Sequence, residues 1–168
     1  MYTIVASTTL PYSPEAVFAA LASVEGTVRW QAGVRGVRRA RVGPTDEGVP
    51  PLVLHYWALG VRRALRATVT LHEPPLRFGY RAVGDGLSYD ATYAVVPTPH
   101  GCHVTCTVVL GGEDDVRAAA DAPTGAAADA VVRLRRLLAR RLPRDLARLE
   151  EWVAVQPGAR HPVVQLPA

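Results

Sequence analysis

Apolar and polar residues alternate through most of the first 110 positions. A strand is predicted over Met1–Leu10, where the two sets of alternating side chains end at a proline. Six more strand-like runs follow, separated by turn-forming Gly, Pro and Asp residues. They are Val34–Val42, Leu52–Leu59, Leu65–Leu71, Leu76–Val83, Leu87–Val96 and Cys102–Leu110. Because such short connections cannot carry a parallel crossover, we expect neighbouring strands to be antiparallel.

Two short helices are predicted after the first strand. Ser13 stands before a proline and a glutamate, an order typical of a helix N-terminus, so one helix is expected from Pro14 to about Ser23. We expect Gly26 to break this helix. A second short helical piece is expected over Val28–Gln31.

A long helix is predicted over Thr124–Ala154. Its apolar side chains recur at helical spacing and form one stripe: Val131, Leu134, Leu138, Leu142, Leu146, Leu149, Trp152 and Val153. Arg135 and Asp145 interrupt the stripe, and Pro143 is expected to kink the helix. The opposite face carries five arginines: Arg133, Arg136, Arg140, Arg144 and Arg148.

Charge and composition indicate which classes of partner and which location to expect. The formal net charge is +4, and all 19 basic residues are arginine. No stretch has the ~18 consecutive apolar residues of a membrane span, and no basic segment leads into an apolar run near Met1, so we expect a cytoplasmic protein. The arginine face could follow a phosphate backbone, but no nucleic-acid motif accompanies it. A solvated outer face is therefore favoured, and nucleic acid is not the expected partner.

Three passages resemble the SRPBCC superfamily, also called START-like or Bet v-like, and in particular its polyketide cyclase and lipid-transport branch. The first joins residues 11–18, PYSPEAVF, with residues 28–34, VRWQAGV. The second is the double-proline turn in residues 69–78, and the third is the hairpin over residues 92–105. The resemblance covers about Met1 to Val155 and depends on the order and spacing of the passages.

This resemblance implies an α+β helix-grip fold, in which a curved seven-stranded antiparallel sheet surrounds a long C-terminal helix, with two short helices after the first strand. We expect one domain over residues 1–155 and an irregular tail over 156–168. The family resemblance also implies a mostly apolar cavity for a small hydrophobic molecule. It does not imply catalysis, because one fold hosts many functions.

The candidate ligand-binding residues are Trp30, Tyr56, Tyr80, Tyr89, Tyr93, Cys106, Arg135 and Leu138. Aromatic rings with a hydroxyl at the rim suit a pocket for a ring-bearing or acyl ligand, although ordinary core packing explains them equally well. Both faces of the strand around Tyr56 are apolar, so either this residue or the pair His55 and Trp57 faces inward. Arg135 either meets a carboxylate or carbonyl of the ligand or extends its stem past the apolar stripe to water.

No cofactor or metal is expected. Cys102 and Cys106 are four strand steps apart, about 13 Å, which is too far for a disulfide or a shared zinc ion. No catalytic motif is present, and catalytic residues are not assigned. Pure binding or transport is favoured over a cyclase or dehydratase acting in the same cavity, and a third alternative is an interaction protein whose interior is filled. The sequence is compatible with a homodimer.

Overall fold

The computed structural model describes residues 2–39, 52–58, 61–84, 87–111, 126–157 and 159. Within these ranges only the backbone is described at positions 25, 39, 52–58, 61–63, 87 and 126–131. Residues 40–42 of one predicted strand, the first two residues of the predicted long helix and most of the predicted tail lie outside the described residues. In the described part of the chain, no helix is both long enough and apolar enough to cross a membrane.

The strands form one antiparallel sheet in the order β1-β7-β6-β5-β4-β3-β2. Their bounds are β1 Tyr2–Leu10, β2 Val34–Arg39, β3 Leu52–Ala58, β4 Val61–Glu73, β5 Arg77–Gly84, β6 Leu87–Thr98 and β7 Gly101–Leu110. The described residues also form three helices: α1 Pro14–Ala22, α2 Val24–Trp30 and α3 Ala126–Ala154. The predicted α+β architecture, with an antiparallel sheet and a C-terminal helix, is confirmed and is compatible with a helix grip.

Strand β4 is longer than the predicted run Leu65–Leu71. It pairs with β3 from Val61 to Ala67 and with β5 from Arg66 to Glu73, so pairing with one neighbour or the other runs along its 13 residues. Charged residues near the ends of β4, such as Arg62 and Glu73, are therefore part of the strand because they pair with a neighbouring strand, although the apolar pattern does not extend to them.

Serine side chains begin both short helices. The Ser13 hydroxyl accepts a hydrogen bond from the backbone N–H of Ala16 at 3.2 Å, as the sequence predicted for α1. Ser23 accepts one from the backbone N–H of Gly26 at 3.0 Å. The prediction that Gly26 breaks a helix is wrong, because this second cap starts α2 at Val24 and places Gly26 inside it.

Helix α3 is unbroken and contains Pro143. The proline lies on the exposed side, where the helical carbonyl left without a partner can bond to water. The apolar stripe faces the core: Leu134, Leu138, Leu142, Leu146, Leu149 and Val153 are all buried. Through this stripe α3 packs against β1, β7, α1 and α2.

Candidate ligand-binding site

A row of aromatic rings covers the buried face of β5 and β6. Alternation in the two strands turns Phe78, Tyr80, Tyr89 and Tyr93 to the same side, where all four are buried. The Tyr80 ring lies 6.3 Å from Phe78 and 6.1 Å from Tyr89, measured between centroids. Phe78 in turn lies 6.5 Å from Tyr93. These spacings are typical of favourable aromatic contacts.

Trp30, at the end of α2, covers one side of this row. Its ring is edge-on to Tyr93, with 5.8 Å between centroids, and the residue is 1% exposed. On another side, Phe18 of α1 contacts Phe78 edge-on at 6.2 Å. The two short helices thus bring large apolar side chains onto the sheet.

Gln31 places a polar group among the rings. It is 6% exposed, and its Nε2 donates a hydrogen bond to the Tyr80 hydroxyl at 3.1 Å. Sequence reasoning did not select this residue for the site. A signal was available, because a glutamine directly after the buried Trp30 at a helix end must find a partner if it is also buried.

Asp145 is the second polar group of this region. Its Oδ1 accepts the backbone N–H of Ala32 at 2.8 Å, and the residue is 7% exposed. Burial raises the pKa of this carboxyl from 3.8 to about 6, although the Ala32 bond and the charges of Arg141 and Arg148 act in the opposite direction. The carboxyl can therefore change its charge near neutral pH.

The Cys106 thiol interacts with Tyr93 and is affected by the charge of Asp145. It is hydrogen-bonded to the Tyr93 hydroxyl, and burial raises the pKa of Cys106 to about 12. Burial also raises the pKa of Tyr93 well above its usual range. Both groups are neutral at physiological pH, so they offer hydrogen-bonding atoms without charge.

Most predicted site residues come together. Trp30, Tyr80, Tyr89, Tyr93 and Cys106 are buried in one core, and Leu138 of α3 is part of that core. The side chains of Tyr56, His55 and Trp57 are not among the described ones. Both alternatives for the inward face of this strand, Tyr56 or the pair His55 and Trp57, therefore stay predictions.

Arg135 stands apart from this group. It is exposed, and its guanidinium carbon lies 5.3 Å above the ring of Tyr2 at the start of β1. The interpretation that Arg135 faces a ligand inside the fold is therefore corrected. Its long stem carries the charge to the surface, where the Tyr2 ring provides a cation–π contact.

The two cysteines and the arginine face of α3 are the remaining predicted features. Cys102 and Cys106 are both buried free thiols on β7, and burial raises the pKa of Cys102 to about 11. Among the side chains that the structure describes, no group of three or more His, Cys, Asp or Glu residues is placed to hold a metal ion. The five arginines of the outer face of α3 are all exposed.

Comparison with known structures shows the same fold. A protein of Thermus thermophilus has a TM-score of 0.69 and 17% identity, over 91% of this chain and 97% of that one. A START superfamily protein from Mycobacterium smegmatis has a TM-score of 0.64 and 15% identity, over 92% and 98%. No curated protein sequence matches the chain.

A third similar structure is the di-domain ARO/CYC StfQ from the steffimycin biosynthetic pathway. It has a TM-score of 0.66 and 12% identity over 90% of this chain, which spans 50% of the StfQ chain. At these identities the structures establish the fold alone. The family model described as polyketide cyclase / dehydrase and lipid transport matches residues 1–154, and the chain belongs to this family.

Proposed function

We propose that this protein binds a small hydrophobic or aromatic molecule between the sheet and α3. The observation that carries the proposal is the buried row of Tyr80, Tyr89 and Tyr93, which joins apolar rings to hydroxyl groups inside the fold. Few orienting polar groups among aromatic walls are typical of sites for small ligands.

The charge distribution supports a largely apolar ligand. Among the described side chains, the buried polar or charged residues are Gln31, Ser88 and Asp145. With so few polar groups, most of the binding free energy would come from apolar contact, at ~25 cal/mol per Å² of apolar surface buried. The hydroxyl of Tyr80, held by Gln31, would orient a polar atom of the ligand.

A cyclase or dehydratase reaction in the same place is the second candidate. Similarity to StfQ, named as an ARO/CYC, favours it, together with Asp145, whose pKa is raised to about 6 by burial. A general acid or base works best with a pKa near the operating pH. Binding needs none of this chemistry, so it is the simpler function for the observed residues.

Native mass spectrometry of the protein as purified tests the binding proposal. We expect masses above that of the 18.0 kDa chain, with the added mass lost on denaturation. A titration with the neutral fluorescent probe N-phenyl-1-naphthylamine gives a second measurement. We expect saturable binding that weakens when Leu138→Trp enlarges a side chain buried in the same core as the rings, with Ala139→Gln on the exposed side of the same helix as control.

Absence of both a bound molecule and saturable probe binding would refute the proposal. If a molecule is released, incubating it with fresh protein distinguishes the two candidates. An unchanged molecule supports binding, and a loss of water or a ring closure, seen by its mass and spectrum, supports the enzyme.

A further inference from the structure

Consecutive residues at the end of α2 contact different tyrosines of the sheet. Trp30 packs against Tyr93 of β6 at 5.8 Å between ring centroids. The next residue, Gln31, donates its side-chain hydrogen bond to the hydroxyl of Tyr80 on β5 at 3.1 Å. The position of this short piece of chain therefore determines how both tyrosines are held.

The following residue connects the same piece to α3. The backbone N–H of Ala32 donates to Oδ1 of Asp145 at 2.8 Å, across 113 positions of sequence. We refer to residues 30–32 as the bridging segment. It joins the tyrosines of the sheet on one side to the carboxyl of α3 on the other.

Asp145 belongs to a short series of contacts that join α2 and the residues after it to α3. The series pairs Asp145 with Ala32, Arg148 with the carbonyl of Arg29, and Trp152 with Gly26. The Arg148 bond is exposed, and the indole N–H groups of Trp30 and Trp152 have no partner in the described part of the molecule. Backbone bonds to Thr27 and Val34 hold Gln31 within its own part of the chain, whereas the Asp145 bond joins the bridging segment to α3, so loss of this bond should be felt at that segment.

We propose that Asp145 is a positioning residue of the ligand site: by accepting the Ala32 amide it fixes the bridging segment and so orients Tyr80 and Tyr93. The effect of Asp145 on ligand binding rests on the proposed function. The holding of the tyrosines themselves is a property of the free protein and is testable without any ligand.

A pH dependence follows from this geometry. The ionised carboxylate accepts a charge-assisted hydrogen bond, which is stronger than one to the neutral acid. Arg141 and Arg148 of α3 and Cys106 of β7 are the groups that act electrostatically on Asp145.

The other charged groups of the neighbouring elements are exposed or act on residues other than Asp145. Arg29 of α2 is exposed, and Glu15 of α1 acts on Cys102. At the other end of the helix, Tyr2 of β1 is in contact with Arg135. The hold on the bridging segment should therefore weaken as Asp145 gains its proton, near pH 6.

NMR of the ligand-free protein tests the positioning directly. We expect the Ala32 amide proton and the ring signals of Tyr80 to titrate together with a midpoint near pH 6. Asp145→Asn keeps an oxygen acceptor but cannot titrate, so both changes should disappear. Glu151→Gln removes one charge from the exposed side of the same helix and should leave both in place.

Probe binding tests the consequence for the site. We expect the affinity for N-phenyl-1-naphthylamine to fall about 3–10-fold from pH 7.5 to pH 5, as for loss of one hydrogen bond, and to be independent of pH in Asp145→Asn. Asp145→Leu, which removes the acceptor, should show the reduced affinity at both pH values.

The possible outcomes separate the two proposals. If Ala32 titrates but Tyr80 does not follow it, the positioning role of Asp145 is wrong, whatever the probe does. If both titrate but the wild-type protein binds no probe at any pH, the positioning role stands and the ligand-binding function fails. Equal probe affinity at both pH values in the wild type overturns the effect of Asp145 on the site.

Discussion

Arg135 and Asp145 interrupt the same apolar stripe of α3 and end in opposite environments. Arg135, near β1, is exposed and lies over the ring of Tyr2. Asp145, near α2, is 7% exposed and accepts a backbone N–H. A long arginine side chain can carry its charge to water, whereas a short aspartate on a buried face must bond to what surrounds it.

This difference separates the two ends of the helix. Around Arg135 the contact is a surface contact of modest strength. Around Asp145 the helix is joined through Ala32 to Gln31 and the tyrosines. We therefore expect substitutions of the residues that bond to Asp145 or to the bridging segment to change both stability and ligand binding, and substitution of Arg135 or Tyr2 to change neither by much.

The largest effect is expected from the aromatic partners at the two ends. Trp30→Ala should lower the free energy of unfolding by ~3–5 kcal/mol, because it removes a large buried side chain. Tyr2→Ala should cost less than ~1 kcal/mol, since Tyr2 is 39% exposed and loses mainly a cation–π contact. Urea denaturation measures both. Similar losses for the two variants would contradict the distinction between the ends.

Stability should also depend on pH through Asp145. Because burial raises the pKa of the folded carboxyl from 3.8 to about 6, the folded state binds the proton more tightly than the unfolded state. This contribution to stability is fully present below pH ~4 and is lost as the pH rises through ~6, by ~3 kcal/mol in all.

Asp145→Asn is the matched variant for this prediction. The difference in free energy of unfolding between wild type and Asp145→Asn should decline from pH 4 to pH 7, while Glu151→Gln tracks the wild type. A difference that stays constant over this range would show that Asp145 keeps an ordinary pKa when folded.

Gly26→Ala tests how closely α2 and α3 approach. A Cβ at this position would lie 2.8 Å from Nε1 of Trp152 and 3.1 Å from the carbonyl oxygen of Ala20. Alanine is otherwise favoured over glycine in a helix by ~1 kcal/mol. We expect the steric overlap to outweigh this gain and the free energy of unfolding to fall by ~1–2 kcal/mol. A rise in the thermal midpoint would mean that the two helices separate easily.

The smallest effect is expected at Arg135. Arg135→Ala should cost less than ~1 kcal/mol and leave the affinity for 2-naphthoate, measured by displacement of the fluorescent probe, unchanged. Arg136→Ala, on the exposed side of the helix, is the charge-matched control. A loss of affinity confined to Arg135→Ala would restore this residue to the ligand site.

The sequence was sufficient for the order of the elements and for Trp30 and the tyrosines of the site, but it did not single out Phe18 or Phe78. Alternation along β6 shows directly that Tyr89 and Tyr93 share a face, since side-chain direction in a strand is a local property, and alternation along β7 places Cys106 on the apolar face of that strand. The stripe of α3 likewise follows from helical spacing. Because Asp145 interrupts that stripe, the sequence marked it as unusual. The sequence did not identify its partner, the backbone N–H of Ala32.

What the sequence could not provide are contacts between distant segments. Ala32 donates a backbone group, which no side-chain pattern reveals, to a residue 113 positions away. Gln31 meets Tyr80 only because the end of α2 lies over β5. Gly26 was interpreted as a helix breaker from its low helix propensity, but it lies inside α2, where Trp152 of α3 approaches it closely.

Intermolecular NOEs between N-phenyl-1-naphthylamine and the protein test the central claim most directly. We predict NOEs from the probe to the rings of Tyr80, Tyr89 and Tyr93 and to the methyl groups of Leu138. A saturably bound probe whose NOEs reach only exposed residues, such as Val5 or Val96, would contradict a ligand site between the sheet and α3.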